Sequence, residues 1–287
     1  MKIGISVSNY GDFPSREFLQ NAAKESEKQE LDSIWTSDHI IVPKNHTPWT
    51  RVFETITTLA FISSITEQIT LGTSIILLPL RNPIVLAKQI ATLDALSKGG
   101  VIIGIGIGWN DKEFDIVGKD FASRTKTVKN QVEQMRKLWS GGFVNEGFVS
   151  EPLPDKKNGP PILIGGQSQG ALKRVASFGD GWHPVGITPT EYEQGKQKIT
   201  QIQNQDYLWS LRLGFAANKT INSEYVGTDG KKRIRLVGDV NQIINEIEKY
   251  QKIGLEHLIL DVRDVSSEEY LEQIKIIGQI RRSFSKN

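Results

Sequence analysis

The sequence predicts a closed α/β fold, a (βα)8 TIM barrel with inserted loops, and two observations carry that expectation. Eight strand-like segments alternate with eight helix-like segments along the 287 residues. Residues 69–107, moreover, read as one complete buried βαβ unit. Ile69–Leu78 is apolar and β-branched without alternation, as a parallel strand covered on both faces should be. Asn82-Pro83 then supplies an N-cap and a favoured first helical residue. Leu86, Ile90 and Leu93 recur at helical spacing, the helix stops at Lys98-Gly99-Gly100, and Val101–Ile107 is a second buried strand. The alternative is an open doubly wound sheet, which usually has fewer strands.

The remaining elements follow in order. Ile3–Ser8 is the first strand, and Ser15–Glu30 a helix with Phe18, Ala22 and Ala23 on its inner face. Asp32–Thr36 is the second strand. A loop over 40–50 carries Pro43, Pro48 and Trp49, and Val52–Thr66 is helical. After the βαβ unit, 109–123 is irregular or a short helix. Arg124–Trp139 is amphipathic, with Val128, Val132, Met135 and Trp139 on one stripe. Residues 140–160 hold four glycines and three prolines without period and read as an insertion. Pro161–Gly165 is strand five, Ser168–Phe178 a helix and Asp180–His183 a short sixth strand. Thr188-Pro189-Thr190-Glu191 is a capping box that opens the next helix. Leu211–Ala217 is strand seven. The polar stretch 218–237 reads as a second insertion, a loop or small hairpin. Asp239 caps a helix with Ile243, Ile247 and Tyr250 inside, Glu256–Asp261 is strand eight, and Ser266-Ser267-Glu268-Glu269 caps the last helix. The whole chain, 1–287, is expected to form one domain.

Composition removes several functions. The net charge of +2 and the pI of 8.6 are too weakly basic for a nucleic-acid partner. There is no cysteine, which excludes disulfides, thiolate nucleophiles and thiolate metal sites. No apolar run reaches the roughly 20 residues of a membrane span, and Met1–Val7 lacks the features of a signal peptide, so the expectation is a cytoplasmic protein with no membrane partner.

In a parallel α/β fold ligands bind where strands end. The exits here are Ser8 to Gly11, Asp38 and His39, Ser74 to Arg81, Gly106 to Asn110, Gly165 to Ser168, and His183. His39 is the side chain best suited to exchange a proton near neutral pH. Gly104, Gly106 and Gly108 form a G-x-G-x-G strand with no acidic residue in the place a dinucleotide site requires, so the Rossmann reading falls. Either a flat ring approaches them or they serve barrel packing. Gly165-Gly166-Gln167-Ser168 joins a strand to a helix start and is the best phosphate seat. Trp49, Trp109 and His183 would line the mouth and contact substrate, unless they are simply packed. Arg81 and Glu113 are expected to form an ion pair. His46 and His257 read as structural or solvated. The four histidines do not cluster with carboxylates, so no metal is expected.

These exits resemble the luciferase-like monooxygenase superfamily, and within it the branch of oxidoreductases that use the deazaflavin coenzyme F420. The matching segments are Leu71-Gly72-Thr73-Ser74, Leu78-Pro79-Leu80-Arg81-Asn82-Pro83 and Ala91-Thr92-Leu93-Asp94-Ala95-Leu96-Ser97. Gly104-Ile105-Gly106-Ile107-Gly108-Trp109, Glu113-Phe114, Arg124, Pro161–Gly166 and Gly179–Pro184 continue the match in order. The resemblance implies a homodimer and a small-molecule substrate. It implies that Asp38 and His39 are an acid–imidazole pair meeting cofactor and substrate. It also implies a non-proline cis peptide at Ser74–Ile75 behind the cofactor ring, with Gly106, Gly108 and Trp109 beside it and the phosphate on Gly165–Ser168. The implied reaction is hydride transfer between F420 and the substrate. One alternative is an FMN-dependent monooxygenase, supplied by a separate reductase, or an FMN-dependent reductase. Another is a non-catalytic flavin-binding protein. Two departures stand out. Gly99-Gly100 runs straight into Val101 where the family commonly has arginine, and Trp109 stands where some of its dehydrogenases carry a catalytic glutamate.

Overall fold

A computed structural model describes residues 1–44, 51–97, 100–141, 148–227, 229–263 and 265–284. The expected mouth residue Trp49 lies outside the described residues. Eight parallel strands close on themselves: β1 (Lys2–Ser6), β2 (Ser33–Thr36), β3 (Thr70–Leu77), β4 (Val101–Gly106), β5 (Ile162–Gly165), β6 (Gly181–His183), β7 (Leu208–Ala217) and β10 (His257–Val262). β10 pairs with both β7 and β1 and completes the ring. The helices outside it are α1 (Arg16–Lys28), α2 (Thr55–Ser63), α3 (Pro83–Leu96), α4 (Asp111–Val117), α5 (Arg124–Trp139), α6 (Gln169–Phe178), α7 (Pro189–Ile202), α8 (Val240–Lys252) and α9 (Ser267–Phe284). Their starts are chemically marked. Ser15 caps α1, Asn82 accepts from the Ile84 and Val85 amides of α3, and capping boxes open α7 and α8. Among the described residues, no helix is long and apolar enough to cross a membrane.

Several boundaries differ from expectation: α2 spans Thr55–Ser63 and not Val52–Thr66, and β1 ends at Ser6 and not Ser8. β7 starts at Leu208, three residues before the predicted Leu211, because its first residues pair with β6 at Gly181 and Trp182. The stretch 218–237 is a hairpin of β8 (Glu224–Val226) and β9 (Lys232–Gly238), and it joins the sheet. β6 is too short to cover the upper edge of β7, so β9 takes that edge in parallel from Gly214 to Ala217. The hairpin thereby stands over the C-terminal rim.

Strand alternation sorts side chains into two sets. Ile3, Ile5, Ile34, Leu71, Ile103, Leu211 and Leu258 face outward and pack with helix residues such as Leu19, Leu59 and Ile90. Trp35, Leu163 and Ile259 form a separate cluster inside the ring. Trp35 is wholly buried, and Gly72 makes its space: a Cβ there would lie 2.4 Å from the indole. The indole Nε1 donates to Ser33 Oγ at 2.7 Å, and that hydroxyl meets His257 Nε2, also at 2.7 Å, at the barrel floor.

Gly72→Ala should therefore overpack the barrel and lower the unfolding free energy by about 1–3 kcal/mol. Chemical denaturation checks this, and the penalty should shrink in a Trp35→Leu background, where the indole is gone. Equal penalties in both backgrounds would show that Trp35 is not what Gly72 accommodates.

Candidate active site

The site is built on an interruption in β3. Thr73 pairs with Ile103 and Ile76 with Ile105, so the register shifts across Ser74 and Ile75. The peptide between these two residues is cis, as the resemblance implied. Ile75 folds over the neighbouring strand exits. A Cβ at Gly106 would stand 2.2 Å from its Cδ1, and one at Gly165 would stand 2.7 Å from the same atom. Gly106 is thus part of a socket for Ile75, which gives this strand glycine a packing reason. Gly108 is similar: its φ of 76° needs glycine, and a Cβ would lie 2.7 Å from the Phe114 ring.

Beneath this wall lies a polar layer. The Ser74 carbonyl accepts from Arg212 Nη1 at 2.7 Å, and Ser74 Oγ is 2.8 Å from His183 Nε2. His183 Nδ1 meets Ser210 Oγ at 2.7 Å, and its ring stacks on Trp35 at 5.0 Å between centroids. Wholly buried, His183 has its pKa pushed down to about 3, by desolvation first and then by Arg212 and His257. It therefore supports the wall from below and does not line the mouth as expected. Arg212 continues to Asp261, 2.9 Å away, which is shared with Arg263 at 2.6 Å. Burial works against the Asp261 carboxylate, but the two guanidiniums outweigh it and hold its pKa below the usual range. Arg212 went unnoticed in the sequence, although one arginine inside an apolar strand is a signal of inward polar structure.

The expected Asp38–His39 pair is divided. Asp38 Oδ1 accepts from Arg81 Nη2 at 2.6 Å, and Oδ2 accepts from the Leu77 amide at 3.0 Å. Both oxygens are spent on fixing the end of β3, which makes Asp38 a positioning residue. His39 instead faces Glu113, with Nδ1 3.0 Å from Oε2. Glu113 Oε1 also accepts from the Ile40 and Ile41 amides at 2.8 and 3.2 Å. The anticipated Arg81–Glu113 pair is thus replaced: Arg81 bridges Asp38 and Glu54, the latter at 2.9 Å. Trp109 is 42% exposed and stands edge-on to His39 at 6.4 Å, so it does sit at the mouth.

The anion candidate is the turn between β5 and α6. Gly166 has φ 94°, and its carbonyl accepts from Trp182 Nε1 at 2.8 Å. Ser168 caps α6 by accepting from the Ala171 amide, while Gln167 Nε2 donates to the Val185 carbonyl at 3.1 Å. Ser168 and Gln167 therefore shape the turn, leaving amides of the first helical turn pointing outward. Arg174 reaches back to this turn: a Cβ on Gly170 would lie 3.4 Å from its Nη1. Burial lowers the Arg174 pKa, and the nearby Arg124 lowers it further. Arg174 Nη1 thus stands beside the first turn of α6, while the Arg124 guanidinium lies over the Phe121 ring at 3.6 Å. Arg174 was not singled out in the sequence. Beside it a cleft of about 540 Å3 runs between α5 and α6, lined by Lys126, Lys129, Glu133 and Lys173.

Among the described residues, no group of three histidines or carboxylates could hold a metal ion. The opposite end of the barrel also has a cavity, about 640 Å3, with Lys2, Glu256 and His257 on its wall. Burial and Lys2 push the His257 pKa down to about 4, and its hydrogen bond to Ser33 gives it a structural role within the floor.

Comparison with known proteins identifies the family and the fold. The family model of the luciferase-like monooxygenases matches residues 4–205. The F420-dependent glucose-6-phosphate dehydrogenase of Amycolatopsis mediterranei (strain U-32) is 28% identical over 195 residues, covering 63% of this chain and 56% of that one. The chain thus spans just over half the length of that relative. Among solved structures, the monooxygenase RslO1 from Streptomyces bottropensis superposes with a TM-score of 0.81 at 17% identity, covering 99% of both chains. An F420-dependent secondary alcohol dehydrogenase, in complex with an F420-acetone adduct, superposes with a TM-score of 0.79 at 18% identity and 97% coverage of both.

The two buried histidines set a pH dependence. Both have folded pKa values below the ordinary 6.5, so the unfolded chain protonates first as pH falls. Unfolding free energy should decline from about pH 6.5 towards pH 4, each histidine contributing a slope of up to ~1.4 kcal/mol per pH unit. His183→Asn should remove one histidine's share, as read by denaturant titrations at several pH values. A variant slope equal to that of the wild type would refute the assignment.

Proposed function

Because the chain belongs to the luciferase-like monooxygenase family, we propose that this oxidoreductase binds the deazaflavin F420 and transfers hydride between it and a small organic substrate. The observation that carries the reading is the junction at β5. Gly165 touches the Ile75 wall on one side and opens the Gly166–Gln169 turn on the other. A ring lying on the wall would therefore have its phosphate directed to the first turn of α6, beside Arg174. F420 when bound supplies the hydride chemistry. The donor set suits it: the basic cleft beyond Arg174 favours an anionic chain continuing past the phosphate, which F420 carries and FMN lacks.

The chain's own residues then have separable tasks. Ser74 and Ile75 form the flat support, and Arg212, Ser37 and His183 hold it from below. The Glu113 carboxylate assigns the His39 proton to Nδ1 and leaves Nε2 as the nitrogen that exchanges a proton with the substrate. Trp109 shields that imidazole at the mouth. The relatives and neighbours named for F420 support the cofactor, and a neighbour solved in complex with FMN supports the alternative.

Fluorescence titration of the apo-protein with F420 and with FMN tests the reading. Arg174→Gln should weaken F420 binding at least tenfold, about 1.4 kcal/mol. His39→Gln should leave that affinity within twofold and lower kcat by roughly 10²–10⁴, the usual worth of a general acid–base group. Sub-micromolar FMN binding with none of F420 would overturn the cofactor assignment. Turnover unaffected in His39→Gln would overturn the role of the imidazole.

A further inference from the structure

We propose that the cleft beneath the β8–β9 hairpin is a binding site for an organic anion, which Arg263 recognises. That this anion is the substrate's head group rests on the reading above; that it binds does not.

The cleft measures about 780 Å3 and opens on the C-terminal rim between the ends of β1 and β10. Its floor is the Arg212–Asp261–Arg263 triad. Both guanidiniums contact the same Asp261 oxygen, at 2.9 and 2.6 Å, while Tyr10 donates its hydroxyl proton to the other oxygen at 3.3 Å. One carboxylate thus serves two cations, and among the described residues neither arginine has a second carboxylate. The triad carries one positive charge in excess. Arg212 is almost wholly buried, and its Nη1 and Nη2 donate to Ser37, Ser74 and Tyr10. Arg263 is 22% exposed and lines the cleft, so the excess charge is presented there. A partly buried guanidinium beside one carboxylate it must share is a strong partner for a second anion.

The walls say what carries the anion. Phe13, Val262 and Val265 are apolar, and Tyr225 of the hairpin lies against Arg263, whose guanidinium is 5.4 Å from its ring centroid. Ser266 and Ser267 add hydroxyls at the start of α9. Asp12 is the one carboxylate among the described lining residues, and it is exposed at the rim. Such a cleft suits a carboxylate or phosphate on an apolar, planar body. It also adjoins the ring wall. Arg263 Nη2 donates to the Tyr10 hydroxyl, which also accepts from Arg212 Nη2, and Arg212 Nη1 donates to the Ser74 carbonyl. An anion on Arg263 would hold the rest of a small molecule towards Ser74–Ile75.

Ligand-observed NMR on the apo-protein, with benzoate, phenyl phosphate and the neutral isostere benzamide as probes, tests the site. At least one of the two anions should bind ten times more tightly than benzamide, and the tighter one identifies the head group. Arg263→Gln should abolish that preference. Because this change strips Asp261 of a partner, Ser267→Asp provides a second test: it adds an exposed negative charge at a helix start, where it does not threaten folding, and should weaken the anion at least tenfold while leaving benzamide unchanged. Anions binding no better than benzamide, or anion binding indifferent to Ser267→Asp, would overturn the proposal. No cofactor is present in these titrations, so failure of the F420 assignment leaves their result intact, and their failure leaves that assignment standing.

Discussion

A backbone carbonyl that leaves a sheet ladder must find a donor elsewhere or carry the full penalty of burial. At Ser74 the ladder between β3 and β4 is interrupted, and the carbonyl turns into the barrel. Arg212 meets it at 2.7 Å from the opposite side of the ring. Much of the site's construction follows from that contact. An arginine placed to reach β3 needs a counter-charge, which Asp261 supplies from β10. The serine hydroxyl left beside the carbonyl needs a partner in an apolar interior, and neutral His183 provides it. The wall at Ser74–Ile75 is thus held by β2, β6, β7 and β10 together, so a flat ligand would meet a surface fixed from below.

The barrel interior is stratified for the same reason. Its floor is a Ser33–His257 hydrogen bond, its middle is the Trp35 indole with Leu163 and Ile259, and its upper layer is polar. Trp35 separates the layers and fixes both, stacking on His183 above and hydrogen-bonding Ser33 below. Burial keeps both histidines of this column neutral, and the charged groups of the upper layer lie towards the rim. The charged layer thereby lies at one end of a barrel whose other end also has a cavity.

The sequence made the ladder of elements legible because local signals agreed with it. Proline after Asn82, the Thr188–Glu191 capping box and the apolar runs at 69–78 and 101–107 each mark a start or a buried strand without reference to the rest of the chain. Gly165–Ser168 was legible for the same reason, since a turn and a helix start are local. Interior partnerships were not. Whether Gly106 faces a ligand or another side chain depends on where Ile75 points, and that follows from a register break that no residue type encodes. His183 sits at a strand end like any mouth residue, yet strand alternation turns it inward beneath the wall. The hairpin at β8–β9 was half legible: its polar, periodless sequence marked an insertion, but the open edge of β7 that it covers belongs to the fold and not to the segment.

The same distinction bears on the acid that Trp109 replaces. Position 109 precedes α4, and position 113 lies in the first turn of that helix. A carboxylate at 113 is favoured by the helix dipole and is brought back over the β2 exit. There Glu113 does two things. It accepts from His39, and it accepts from the Ile40 and Ile41 amides that follow, so the loop carrying the imidazole is fixed by the group that orients it. Asp38, released from any pairing with His39, is free to lock Arg81 and the Leu77 amide at the end of β3. With Trp109 at the strand end, His39 still has a carboxylate beside it, that of Glu113, and the indole stands edge-on to the imidazole at the mouth.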